Sequence, residues 1–129
     1  MKQLILLFLF FGAIGFSQEF HSTSIKTSGR IYTAQDSLLT NTIDWSLGNT
    51  KIKSLSANTT LNMINTVNGA QITVAVYNAG NYTLDWTCSE CPIIWSGGIV
   101  PIQTTSGKTD IYSFIRAGGK IYGTYVQHF

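Results

Sequence analysis

Apolar side chains recur at every second residue along most of this chain, and no stretch of useful length repeats them at helical spacing. Ile72, Val74 and Val76 fall on one face of an extended segment, and Tyr82, Leu84 and Trp86 on one face of the next. Asn78-Ala79-Gly80-Asn81 between them is a turn signal, so the two segments are read as a hairpin. Residues 110–116 and 120–127 flank Ala117-Gly118-Gly119, and the two glycines supply the positive φ of a tight second hairpin. Earlier strands are expected over 24–33, interrupted by Gly29, then over 41–47 and 50–55 around Gly48-Asn49, and over 59–64 before the turn pair Asn68-Gly69. Gly97-Gly98 and Ser106-Gly107-Lys108 mark further loops. Turn signals every 8–12 residues or so, with about seven or eight short strands between them, predict an all-β domain, a small antiparallel β-sandwich or jelly-roll-like fold.

Composition agrees with that reading. Only 11% of the 129 residues are charged against 44% hydrophobic, and the remaining polarity comes from Thr, Asn, Ser and Gly, which suit pleated surfaces and turns. The net charge of +2 is dispersed, and the densest basic stretch is Lys51-Ile52-Lys53, so the footprint of a nucleic-acid partner is missing. A single domain of this length buries about two thirds of its unfolded surface and needs no metal or disulfide framework.

The first residues stand apart. Met1-Lys2-Gln3 is followed by an uninterrupted apolar run from Leu4 to Ile14, then Gly15-Phe16-Ser17-Gln18. The run is too short to span a bilayer, which needs about 20 residues. Gly15 and Ser17 fit the small-residue sites of a signal peptidase, so 1–17 reads as a signal peptide cleaved between Ser17 and Gln18. Residues 18–41 are then an N-terminal strand or linker region and 42–129 the main module.

Cys88-Ser89-Glu90-Cys91-Pro92 admits three readings. A thioredoxin-like redox pair needs a helix N-terminus to lower a thiol pKa, and this motif lies between strands. A zinc site needs four ligands, and the remaining soft candidates, His21 and His128, are not in ligand spacing. The third reading is a local disulfide or two unpaired thiols in a loop, and an exported chain favours the bridge. An extended four-residue stretch holds its Cα ends ~10 Å apart, so bridging requires a tight turn. Closing so short a loop contributes about 2 kcal/mol, which stiffens a loop rather than holds a fold.

No catalytic constellation emerges. Glu19, Asp36, Asp44, Asp85, Glu90 and Asp110 show no spacing that opposes two carboxylates across a cleft. Asp85 and Asp110 are expected to be solvated or bonded to turns. There is no nucleophile elbow and no glycine-rich phosphate loop, and no cofactor or metal is implied. The aromatics Trp45, Trp86, Trp95, Tyr77, Tyr82, Tyr112, Phe114, Tyr122 and Tyr125 read mostly as core. Residues 110–114 carry apolar side chains on both faces, Ile111 on one and Tyr112 and Phe114 on the other, and the pattern recurs at Ile121, Tyr122 and Tyr125. One face is then core, and the other is expected to be a subunit interface.

Read in order, Thr42-Ile43-Asp44-Trp45 with Gly48-Asn49, the segment 55–61, Asn68-Gly69 before 72–76, Tyr82-Thr83-Leu84-Asp85-Trp86, Trp95-Ser96-Gly97-Gly98 with Pro101, Asp110-Ile111-Tyr112-Ser113-Phe114, and Gly118-Gly119 with Tyr122-Gly123 resemble a β-rich module of tailed-phage virion proteins. Such modules sit at the C-terminal end of tail-fibre, head-fibre and appendage proteins. The resemblance covers residues 42–129, and it implies that Asp44, Trp45, Trp86, Trp95, Gly97, Gly98, Pro101, Asp110, Phe114, Gly119 and Gly123 are fold residues rather than ligand contacts. It implies a non-enzymatic virion subunit, a homo-oligomer and by preference a trimer, in contact with other virion proteins and with a host-surface glycan or protein. Two features depart from the pattern: the pair Cys88 and Cys91, and the export-type N-terminus, which resembles those of Bacteroidota. The latter supports an alternative, an exported periplasmic or cell-surface binding module of adhesin type. An enzyme acting on carbohydrate would need a carboxylate cleft. An outer-membrane barrel is discounted, because the chain is too short for eight membrane strands and its Asn/Thr-rich strands lack a lipid-facing band.

Overall fold

The computed structural model describes residues 35–101 and 105–129. The signal segment with its cleavage position Ser17–Gln18, residues Glu19 and His21, and the strand expected over 24–33 lie outside the described residues.

Among the described residues there are nine strands: β1 (Gln35–Ser37), β2 (Thr42–Asp44), β3 (Thr50–Leu55), β4 (Thr59–Ile64), β5 (Gln71–Asn78), β6 (Leu84–Cys88), β7 (Ile93–Trp95), β8 (Lys108–Ala117) and β9 (Lys120–Val126). They form a six-stranded sheet in the order β1-β3-β5-β8-β9-β7 and a three-stranded sheet in the order β2-β4-β6. The described chain is thus an all-β, two-sheet sandwich, as the alternation requires.

The pairing inside the sandwich differs from the antiparallel expectation. Only β5–β8 and β8–β9 are antiparallel. The pairs β1–β3, β3–β5, β2–β4, β4–β6 and β7–β9 are parallel. From β1 to β6 the chain steps between the sheets strand by strand, and each strand pairs with the one a full circuit earlier. A parallel pair needs a crossover connection, and here the crossover is a strand of the opposite sheet rather than a helix. The first half of the described chain is therefore a flattened coil of β-strands, and the β8–β9 hairpin widens its larger sheet.

The hairpin expected between 72–76 and 82–86 is accordingly an arch. The turn itself is there: Asn78 is buried, its carboxamide oxygen accepts from the N–H groups of Gly80 (3.2 Å) and Tyr82 (3.1 Å), and its amide donates to the Tyr82 carbonyl (3.1 Å). But both edges of β5 are taken, by β3 and by β8, so the chain crosses to the other sheet. An arch and a hairpin turn the same alternate residues inward, which is why alternation alone does not separate them. The hairpin at Gly118-Gly119 is present as expected, with φ of 57° and 75° at the two glycines, as a two-residue turn with two left-handed positions requires.

The core is one cluster between the sheets. The larger sheet contributes Leu55, Ile72, Val74, Val76, Tyr112, Phe114 and Ile121, and the smaller one Ile43, Leu61, Met63 and Leu84. Three strands do not cover six, and two tryptophans extend the cover. Trp86 reaches from β6 onto Tyr112 and Phe114, with ring centroids 4.7 and 4.9 Å apart. Trp95, on β7, packs edge-on to Phe114 at 5.4 Å.

Candidate functional site

Two features of the fold have chemical character beyond packing. The first is the outer face of the larger sheet. In phase opposite to the core residues, β3 presents Thr50, Ile52 and Ser54 outward, β5 presents Gln71, Thr73, Ala75 and Tyr77, β8 presents Thr109, Ile111, Ser113, Ile115 and Ala117, and β9 presents Lys120, Tyr122, Thr124 and Val126. Register sorts these into rows across the strands. Thr50, Thr73, Ser113 and Thr124 align as a hydroxyl row. On one side of it runs Ile52, Ala75, Ile111 and Val126, and on the other Gln71, Ile115, Tyr122 and Ile94. Of these outward residues only Lys120, at the turn end of β9, is charged. Ile52, Tyr77, Ile94, Ile115, Tyr122 and Val126 are all exposed, so among the described residues nothing covers the second apolar face read from residues 110–114. A shallow depression of about 240 Å³ lies on it between Ile72, Phe114, Ile115 and Tyr122, and one of about 230 Å³ shares Tyr122 with it and reaches Ile94 and Trp95. The hydroxyl row escapes a reading of the sequence, because its members come from four strands and only register aligns them.

The second feature is a clasp around the Cys pair. Cys88 ends β6, and the turn Ser89-Glu90 brings Cys91 back so that the two sulfurs stand 3.1 Å apart, unbonded. Glu90, at the turn's tip, accepts from the Asn65 N–H (2.7 Å), the Thr66 N–H (3.1 Å) and the Thr66 hydroxyl (2.6 Å). The Arg116 guanidinium on β8 bonds the Thr66 carbonyl and hydroxyl and lies 3.3 Å from the Glu90 carboxylate. These bonds, led by the Thr66 hydroxyl, hold the Glu90 carboxyl below the usual glutamate range. Burial, followed by the hydrogen bond with Cys88, pushes the Cys91 thiol up. Glu90, Thr66 and Arg116 carry no signal in the sequence, since the turn that Glu90 grips lies 24 and 25 residues before it.

The carboxylates are scattered rather than convergent. Asp44 accepts from the N–H (2.9 Å) and hydroxyl (2.6 Å) of Ser46 and from the Asn65 amide (3.0 Å), and the Ser46 bonds above all hold its carboxyl low. Asp36 pairs at 2.8 Å with the fully buried Lys51 ammonium, which also donates to the Leu47 carbonyl. Asp85 is exposed on the outside of the smaller sheet. Asp110 departs from the solvated or turn-bonded role expected for it. It is 1% exposed and faces the interior on the same side of β8 as Tyr112 and Phe114. Its carboxylate accepts from the Tyr112 hydroxyl (3.3 Å), the Gln127 amide (3.2 Å) and the His128 N–H (3.1 Å), and so ties down the C-terminal residues.

The residues singled out by resemblance fall as follows. Trp45, Trp95, Phe114, Gly123 and Pro101 are buried, and Trp86 is half-buried in the aromatic cluster. Gly97, Gly98 and Gly119 occupy turns at positive φ. Among the described residues, no group of three or more His, Cys, Asp and Glu side chains is placed to hold a metal ion. Compared with known proteins, the chain matches no protein family, no curated protein and no solved structure.

Proposed function

We propose that this chain is a non-enzymatic structural subunit that works by self-association through the outer face of its larger sheet. The observation that supports this reading most directly is that face. It exposes apolar rows on either side of a hydroxyl row, and its one charged strand residue, Lys120, stands at the turn end of β9. A second copy meets the centre of it with no charge to desolvate, and with isoleucine, valine and tyrosine side chains that gain by leaving water. Within this reading the subunit belongs to a phage virion, as a fibre, decoration or appendage component that also attaches to a host surface; the support for that is the sequence resemblance over 42–129.

The export-type segment 1–17 favours a second reading, an exported bacterial surface or periplasmic module of adhesin type. Self-association is tested by light scattering on the mature chain 18–129, alongside Ile115→Lys and Tyr122→Lys, which place a charge on the face without touching the core. The wild type is expected as an oligomer, with a trimer the preferred state, and each variant as a folded monomer. A wild type that stays monomeric at high micromolar concentration overturns the proposal. Intact mass of the native protein from purified particles and from the cell envelope then decides between the virion and surface readings.

A further inference from the structure

The two thiols of the clasp are unequal. The Cys91 sulfur is buried against the Thr66 hydroxyl at 3.8 Å, whereas Cys88 is partly open to solvent at the end of β6. They are also close, at 3.1 Å, in a turn whose tip is fixed from outside by Asn65 and Thr66. We propose that Cys88 and Cys91 form a thiol–disulfide exchange site that takes small-molecule disulfides such as glutathione disulfide and closes into an intramolecular disulfide, with Cys88 as the entry thiol and Cys91 as the resolving thiol.

The chemistry balances in two steps. The Cys88 thiolate, having lost its proton to solvent, attacks one sulfur of the external disulfide. A bond forms between Cys88 and that half, the external S–S bond breaks, and the other half leaves as a thiolate that takes up a proton. The Cys91 thiol then loses its proton, and its sulfur attacks the Cys88 sulfur. The second small thiol leaves, and the Cys88–Cys91 bond is complete. Two cysteine thiols have been oxidised and one external disulfide reduced to two thiols.

Burial makes the second step the slower one, since the Cys91 thiol yields its proton only at higher pH. The same burial protects the product. A reducing thiol reaches the Cys88 sulfur more readily, and attack there must expel Cys91, a poor leaving group because its thiol holds its proton tightly. The bond therefore joins the end of β6 to the start of the segment entering β7, and fixes the turn that carries Glu90.

The test is a time course of the reduced full-length chain with glutathione disulfide, read by intact mass after acid quench. The wild type is expected to pass through a transient single adduct and end two hydrogens lighter with no adduct, the final step quickening as pH rises. Cys91→Ser is expected to stop at one stable adduct. Cys88→Ser is expected to gain its adduct about tenfold more slowly, because its remaining thiol is buried. In denaturant that difference between variants should vanish, which ties it to the fold. Three results overturn the proposal: a wild type that ends with two adducts, a wild type that keeps both thiols, or variants that react at equal rates when native.

Discussion

Gly123 lies directly beneath the Trp95 ring: a Cβ placed on it would stand 2.8 Å from two carbons of the indole and 3.1 Å from the Phe114 ring. Trp95 has little room to retreat. It packs edge-on to Trp86, Phe114 and Tyr125, at 6.1, 5.4 and 6.4 Å between centroids. The strand pairing β7–β9 sets Trp95 against Gly123 in register, so the contact is built into the backbone. Gly123→Ala is expected to destabilise the domain by about 1–3 kcal/mol through overpacking. Urea denaturation with unchanged slope and a lowered midpoint checks it, and an unchanged midpoint refutes the close approach.

The clasp predicts a dependence on pH. The Glu90 carboxyl is held below its ordinary value of 4.5 in the folded chain by its hydrogen bonds to Thr66 and Asn65. A group whose folded pKa is depressed contributes stability that is fully present above its unfolded pKa and is lost as pH falls through the folded one. The melting temperature of the wild type is therefore expected to fall below about pH 4.5, and Glu90→Gln should show a shallower fall over the same acid range. Asp44, also depressed, continues to contribute in the variant. Parallel melting curves for wild type and variant between pH 3 and 7 settle whether the Glu90 bonds form.

Asp110 is where the chain diverges most from what its sequence suggests. Asp110 alternates with Tyr112 and Phe114, so the strand period itself puts it inside; the ordinary reluctance to bury a carboxylate argues the other way. The period wins because the Tyr112 hydroxyl, the Gln127 amide and the His128 N–H supply the bonds that water would. Burial, with the Asp110 charge second, in turn raises the Tyr112 phenol well above its ordinary value. Asp110→Ala removes the acceptor of those bonds and is expected to cost about 2–4 kcal/mol and to loosen Gln127 and His128, while Phe129 keeps its backbone pair with Thr109. Hydrogen exchange at the His128 amide, with the Phe129 amide as the internal reference, reads the second effect separately from the first.

What the sequence states clearly is what alternation and turn chemistry determine: strands along the described residues and the Gly118-Gly119 hairpin, whereas the turn between Cys88 and Cys91 is only permitted by Ser89-Glu90. What it leaves open is which strand lies beside which. Ile72, Val74 and Val76 face Leu84 and Trp86 across the core rather than lying beside them in one sheet, and the same residues would face inward in a hairpin. The hydroxyl row on the outer face depends on register between strands far apart in the chain, which no local pattern encodes.

The β3 strand carries the same lesson into energetics. In Lys51-Ile52-Lys53-Ser54-Leu55, hydrophobicity alone would turn Ile52 inward, yet Lys51, Lys53 and Leu55 are buried and Ile52 is exposed. Leu55 fixes the phase, and the lysines find oxygen ligands at the coil's first turn: Asp36 and the Leu47 carbonyl for Lys51, the Thr40 and Leu38 carbonyls for Lys53. Removing either partner of the Lys51–Asp36 pair has unequal consequences. Lys51→Met puts an apolar chain of similar length into an enclosed site and leaves Asp36, 39% exposed, to turn to water. Asp36→Ala leaves a fully buried ammonium with the Leu47 carbonyl and only the Asp44 carboxylate, not bonded to it, to offset its charge. Asp36→Ala is therefore expected to cost about 2–3 kcal/mol, and Lys51→Met about 1 kcal/mol or less. Chemical denaturation of the two variants side by side checks the order, and a larger loss for Lys51→Met would mean that the ammonium holds the coil's first turn through its carbonyl bond rather than through the ion pair.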